Sequence, residues 1–87
     1  MSKIEREVTV SNPQGLHARP AALFVQIASK YTSNITVEKE KESVNGKSIM
    51  GILMLGAQQN SKIKIIIDGV DAEAAMAELV AFLTKNE

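Results

Sequence analysis

Ile4, Val8 and Val10 alternate with polar residues and stop at Asn12-Pro13-Gln14-Gly15, a pattern that predicts a strand closed by a turn. From Ala18 to Tyr31 the period changes. Leu23, Phe24, Ile27, Ala28 and Tyr31 recur at helical spacing and leave Gln26, Ser29 and Lys30 facing outward, which predicts an amphipathic helix. Alternation returns at Ile35 and Val37, and Val44 marks a short third strand across Glu38-Lys39-Glu40-Lys41-Glu42, whose alternating charges read as a solvated hairpin tip. Asn45-Gly46-Lys47-Ser48 is turn chemistry. Ser48 is a good N-cap for a short apolar helix over Ile49-Met50-Gly51-Ile52-Leu53-Met54-Leu55, ended by Gly56. Ile63, Ile65 and Ile67 alternate with Lys64 and Ile66 in a fourth strand closed by Asp68-Gly69, and Asp71 then caps a helix carrying Ala75, Met76, Leu79, Phe82 and Leu83 on one face.

The predicted order is βαββαβα. Strands interleaved with helices that each have one apolar face predict an α+β fold, three helices on one side of a four-stranded, mainly antiparallel sheet whose other side meets water. Residues 1–87 are expected to form a single domain, with no internal repeat, linker or low-complexity segment among them. A chain of this size buries roughly 60–65% of its unfolded surface, so it has one modest core, no deep cleft, and chemistry at its surface.

Composition narrows the chemistry. Ten basic and ten acidic side chains cancel and neither sign forms a long block, so nothing resembles a nucleic-acid footprint. Without cysteine, a single histidine leaves no credible metal constellation and no disulfide framework. The charged Met1-Ser2-Lys3-Ile4-Glu5-Arg6-Glu7 is unlike a signal peptide, and no apolar run reaches the ~18 residues of a membrane span. A soluble cytoplasmic protein is expected.

That single histidine, His17, lies in Gly15-Leu16-His17-Ala18-Arg19-Pro20-Ala21-Ala22, where the extended segment gives way to the helix. Pro20 is tolerated in a first helical turn, which puts His17 near the N-cap. Unpaired N–H groups, the positive end of the helix dipole and the Arg19 guanidinium could there hold a phosphate, free or attached to the ring. Read locally, a lone histidine such as His17 is more often an ordinary surface or cap residue than a reactive one, and most arginines, Arg19 included, are solvated surface charges.

Ile49 to Leu55 is apolar nearly all round, although two helical turns need only one apolar face. Ile49, Ile52 and Leu53 fall on one side, with Met50 and Met54 displaced from it. Either all are core, or part of the surface stays exposed and docks partners, a role that suits methionine. Ser48 is either a plain N-cap or a phosphorylation site at a helix N-terminus. Gly46-Lys47-Ser48 is not the tail of a P-loop, because position 41 is lysine where an upstream glycine is required.

Gly15-Leu16-His17-Ala18-Arg19-Pro20-Ala21 and Asn45-Gly46-Lys47-Ser48-Ile49-Met50-Gly51, whose His17 and Ser48 lie about 30 positions apart, resemble the HPr phosphocarriers of the bacterial phosphoenolpyruvate:sugar phosphotransferase system. The resemblance spans the whole chain and implies the HPr-like open-faced β-sandwich. It implies that His17 accepts a phosphoryl group on Nδ1 from phosphorylated Enzyme I and passes it to the IIA domains of sugar permeases, with Arg19 stabilising the transferred charge. It implies phosphorylation of Ser48 by an HPr kinase/phosphorylase, the product engaging a catabolite-control regulator. It places Ile49, Met50, Leu53 and Ala22 where the family meets its partners.

No cofactor is implied, and the chain is expected to be a carrier more than an enzyme, monomeric by default. One regulatory relative lacks the histidine and a nitrogen-related branch differs around the serine; this chain has both motifs. Gln58-Gln59-Asn60 departs from the small or glycine-containing turn of many members, which bears on that loop alone. Two rivals follow. A regulatory adaptor would work through phosphoserine with His17 idle, whereas a small hydrolase or nuclease would want two titrating groups and a cleft.

Overall fold

In the computed structural model, which describes residues 3–85, the chain runs β1 (Lys3–Thr9), α1 (Ala18–Ser29), β2 (Asn34–Lys39), β3 (Glu42–Asn45), α2 (Ile49–Leu55), β4 (Lys62–Asp68) and α3 (Ala72–Leu83). This is the predicted βαββαβα order. The sheet is antiparallel throughout with strand order β1-β4-β2-β3, so β4 is paired on both sides, to β1 with Val8 opposite Ile63 and to β2 with Val37 opposite Ile65. A strand with three alternating isoleucines is well suited to that central place, because its inward face has neighbours on both flanks.

Ile63, Ile65 and Ile67, together with Val8, Ile35 and Val37, turn one sheet face to the helices and are buried. Phe24 of α1, Ile52 and Leu55 of α2, and Ala75, Met76, Leu79 and Leu83 of α3 complete the core. Each large side chain so buried stabilises the fold by about 1.5–3 kcal/mol. The other sheet face carries Glu5, Glu7, Lys62, Lys64, Thr36 and Glu38 and stays open to solvent around a half-buried Ile66.

Several elements depart in detail from the periodicity. Leu23, expected on the buried side of α1, is 42% exposed. The helix buries Pro20, Ala21, Phe24 and Ala28, and Leu23 lies one position, about 100°, off that line. The helix also ends at Ser29: the N–H groups of Lys30 and Tyr31 close its last turn onto the carbonyls of Ile27 and Ala28 at 3.1 and 3.2 Å. β1 ends at Thr9, yet Val10 remains fully buried, its N–H donating to Ser61 at 2.9 Å.

The charged run is mostly strand. Lys39 pairs with Glu42, leaving Glu40-Lys41 as a two-residue turn with Glu40 at φ 57°. Asn60 takes φ 74°, so Gln58-Gln59-Asn60 makes a tight turn with asparagine in the left-handed conformation that glycine would otherwise supply. In α3, Phe82 is only half-buried.

Asp71 occupies the N-cap position of α3 but does not cap it. Its carboxylate accepts instead from the N–H groups of Thr32 at 2.8 Å and Ser33 at 3.0 Å, and from both their hydroxyls. Four donors from another segment outweigh one or two helical N–H groups, and these bonds hold its carboxyl at about 2 against an ordinary 3.8, the Ser33 hydroxyl contributing most. Gly69 lies so close to Ser33 that an added Cβ would collide with its backbone and hydroxyl.

Candidate functional site

Gly15 sets where His17 stands. It takes φ 63°, and a Cβ there would come within 2.7 Å of the Ala57 carbonyl oxygen and 2.8 Å of Gln58 Cα, so the loop leaving β1 lies directly against the segment leaving α2. The N–H of Leu16 donates to that same carbonyl at 2.8 Å, and the Leu16 side chain is buried beneath the loop. With Leu16 pointing inward, the next residue points outward.

His17 is the N-cap of α1, its backbone extended at φ −80°, ψ −167°, and its carbonyl accepts the first helical bond from Ala21 at 2.7 Å. Its imidazole is exposed and makes no capping bond. The N–H groups of Ala18 and Arg19 donate to no backbone acceptor among the described residues. Pro20, third in the helix, has no N–H to offer. The Arg19 side chain is exposed and joins no ion pair among the described residues. One ring, one guanidinium and two free N–H donors at a positive helix end can hold an anion, but only loosely.

Ser48 caps α2, its Oγ accepting from the Gly51 N–H at 3.1 Å. The preceding Lys47 is tied on both sides, its N–H to Asn45 Oδ1 at 2.9 Å and its Nζ to the Tyr31 carbonyl at 2.6 Å. Gly56 closes the helix in the left-handed conformation, one residue before the carbonyl that anchors the His17 loop. Ser48 and the His17 loop therefore adjoin opposite ends of α2, about 10 Å apart along its axis.

Between them lies an apolar face. Only Ile52 and Leu55 of α2 are buried; Ile49, Met50, Leu53 and Met54 are exposed, as is Leu23 on the neighbouring α1, while Ala22 is half-buried. Ile49 and Leu53, grouped with Ile52 by spacing, diverge from it because so short a helix contacts the body along a single line. Val70, almost wholly exposed in the turn before α3, had no periodic signal at all.

The family model described as "PTS HPr component phosphorylation site" matches residues 4–85. The chain belongs to the HPr family. It is 48% identical over 83 residues to an HPr-like protein Crh of Halalkalibacterium halodurans, covering 95% of this chain and 99% of that one. It is 47% identical over 76 residues to a phosphocarrier protein HPr of Xylella fastidiosa, covering 87% and 85%. A crystal structure of a phosphocarrier protein HPr from Bacillus anthracis superposes with a TM-score of 0.92 at 44% identity, covering 95% and 99%. The open-faced arrangement is thus the HPr fold, and membership makes the chain a phosphotransferase-system component, a phosphocarrier rather than a classical enzyme. No helix among the described residues is long and apolar enough to cross a membrane.

Proposed function

We propose that this HPr-family chain carries phosphoryl groups on His17, accepting them on Nδ1 from phosphorylated Enzyme I and donating them to the IIA domains of sugar permeases. The observation that carries the reading is the uncommitted imidazole at the N-cap of α1, beside two free N–H donors and the Arg19 guanidinium. On loading, the Nδ1–P bond forms as the donor's bond to phosphorus breaks; on delivery, Nδ1–P breaks as the acceptor's bond to phosphorus forms, and the second ring nitrogen keeps its proton throughout. Arg19 and the helix N–H groups offset the phosphoryl charge, and the partner supplies the rest of the positioning. A carrier must release what it holds, and a site with so few donors suits that.

Ile49, Met50, Leu53 and Ala22 form the docking surface for Enzyme I and the IIA domains. Ser48 is the regulatory site, phosphorylated by an HPr kinase/phosphorylase to give a form that a catabolite-control regulator engages. Its place at the far end of α2 puts an added charge near −2 at the rim of the docking surface, where it must be desolvated when Enzyme I docks. The protein works in the cytoplasm as a monomer, presenting this face to one partner at a time.

The test is intact mass after incubation with phosphoenolpyruvate and Enzyme I, followed by brief acid treatment. One acid-labile phosphoryl group, lost in His17→Ala, is expected, since a phosphoramidate hydrolyses in acid and a serine ester survives. The near-equal identity to an HPr-like Crh and to an HPr favours a second reading, an adaptor that acts through phosphoserine alone. No uptake from an Enzyme I that is active on another HPr would make that reading the better one.

A further inference from the structure

Three methionines of the described residues occupy opposite environments. Met50 and Met54 are 67% and 72% exposed, whereas Met76 in α3 is 2% exposed. Met50 and Met54 stand four residues apart on α2, one turn above the other, and Leu53 and Ile49 lie between and beside them. We propose that Met50 and Met54 are a peroxide-responsive modification site, whose oxidation to sulfoxide weakens docking of Enzyme I while the fold stays intact. The inference rests on the docking role assigned above to this face.

The chemistry is oxygen transfer from a hydroperoxide. Each thioether sulfur gains one oxygen and is oxidised by two electrons, and the hydroperoxide is reduced to water or the corresponding alcohol. The chain has no cysteine, so no thiolate competes for the oxidant. The product is a strong hydrogen-bond acceptor in place of a soft apolar group, and an apolar partner that covers it leaves the new S–O group without a donor. The fold does not depend on either side chain, because α2 is fixed to the body by Ile52 and Leu55 and capped by Ser48 and Gly56. His17 is on another element and keeps its chemistry. Oxidation thus changes the docking face and leaves the phosphoryl site and the core as they were.

The experiment treats the full chain with hydrogen peroxide, removes the peroxide, and then measures oxidation sites by peptide mass, thermal stability, and the rate of phosphoryl transfer from Enzyme I. Oxygen at Met50 and Met54 with Met76 spared, an unchanged melting temperature, and a fall of about tenfold in transfer, expressed mainly in KM, are expected. Methionine sulfoxide reductases should restore the rate. A Met50→Leu/Met54→Leu double variant, compared with itself before and after peroxide, should show no change whatever rate it starts from. Undiminished transfer by the doubly oxidised protein, equal oxidation of Met76, or an equal loss in the double variant would overturn the proposal. Met50→Asp separates the two readings: slowed transfer in that variant beside an insensitive sulfoxide sinks only the oxidation proposal, whereas full-rate transfer in both sinks the docking surface itself.

Discussion

The two ends of α1 are built on opposite rules. At its C-terminal end, Glu78 of α3 accepts from Lys30 at 2.8 Å and from the Tyr31 hydroxyl, Asp71 binds Thr32 and Ser33, and Lys47 donates to the Tyr31 carbonyl. At its N-terminal end, His17 and Arg19 are exposed and two N–H groups stand free. Among the described residues every buried side-chain nitrogen and oxygen has a partner, so the fold does not need the His17 end to be satisfied. The clamped end positions the helix; the free end keeps its donors unpaired among the described residues.

Substitutions at each end should therefore affect different readouts. His17→Ala is expected to abolish acid-labile phosphorylation and leave the melting temperature unchanged, as intact mass and a thermal melt will show; a variant still labelled would place the phosphoryl group elsewhere. Arg19→Ala should slow transfer from Enzyme I by about 10- to 100-fold, the range for one lost charge-assisted contact, again without loss of stability. Ser48→Asp, with half the charge of a phosphoserine, should slow the same transfer by about tenfold in steady-state assays. A rate equal to that of the unmodified chain would separate the Ser48 end of α2 from the docking surface.

The clamped end is sharpened by the converse experiments. Asp71→Asn should lower the melting temperature by several degrees, on the order of 5 °C, and leave phosphoryl transfer untouched. The sign with pH follows from the carboxyl being held at about 2, below its ordinary 3.8. Its contribution is complete at neutral pH, declines as pH falls below the ordinary carboxylate range, and is gone below about 2. Acid titration of stability should accordingly fall less steeply through this window in Asp71→Asn than in the unaltered chain. The smallest effect is expected for Lys30→Ala, whose partly exposed pair with Glu78 should be worth about a degree or two in a melt.

The elements and the site residues differ in how legible they were. Alternation at Ile63, Ile65 and Ile67 named a strand, and the structure buries all three beneath the helices at the centre of the sheet. The Pro20 context placed His17 near a helix start, because proline's missing N–H is tolerated only in a first helical turn, a local rule. Leu23 was misread because helical spacing fixes an angle around the axis but not which angle faces the sheet. Asp71 was misread for a related reason: an aspartate before a helix is a cap by local rule, but Thr32 and Ser33, nearly 40 residues earlier, offered it more donors. Leu16 passed unnoticed, because a single apolar residue between a turn and a helix start has no period to announce it.

By itself, then, the sequence determined what nearest neighbours decide: the periods of strands and helices, the turns, the caps at Ser48 and Gly56, and the two motifs that carry the family resemblance. Tertiary structure alone decided which apolar residues would remain outside. Ile49, Met50, Leu53 and Met54 are apolar like Ile52 and Leu55, and they stay exposed because a helix of seven residues resting on a small body has only one line of contact to bury. The apposition of the His17 loop to the end of α2 is likewise a long-range matter, settled by the Ala57 carbonyl and the space that Gly15 leaves for it.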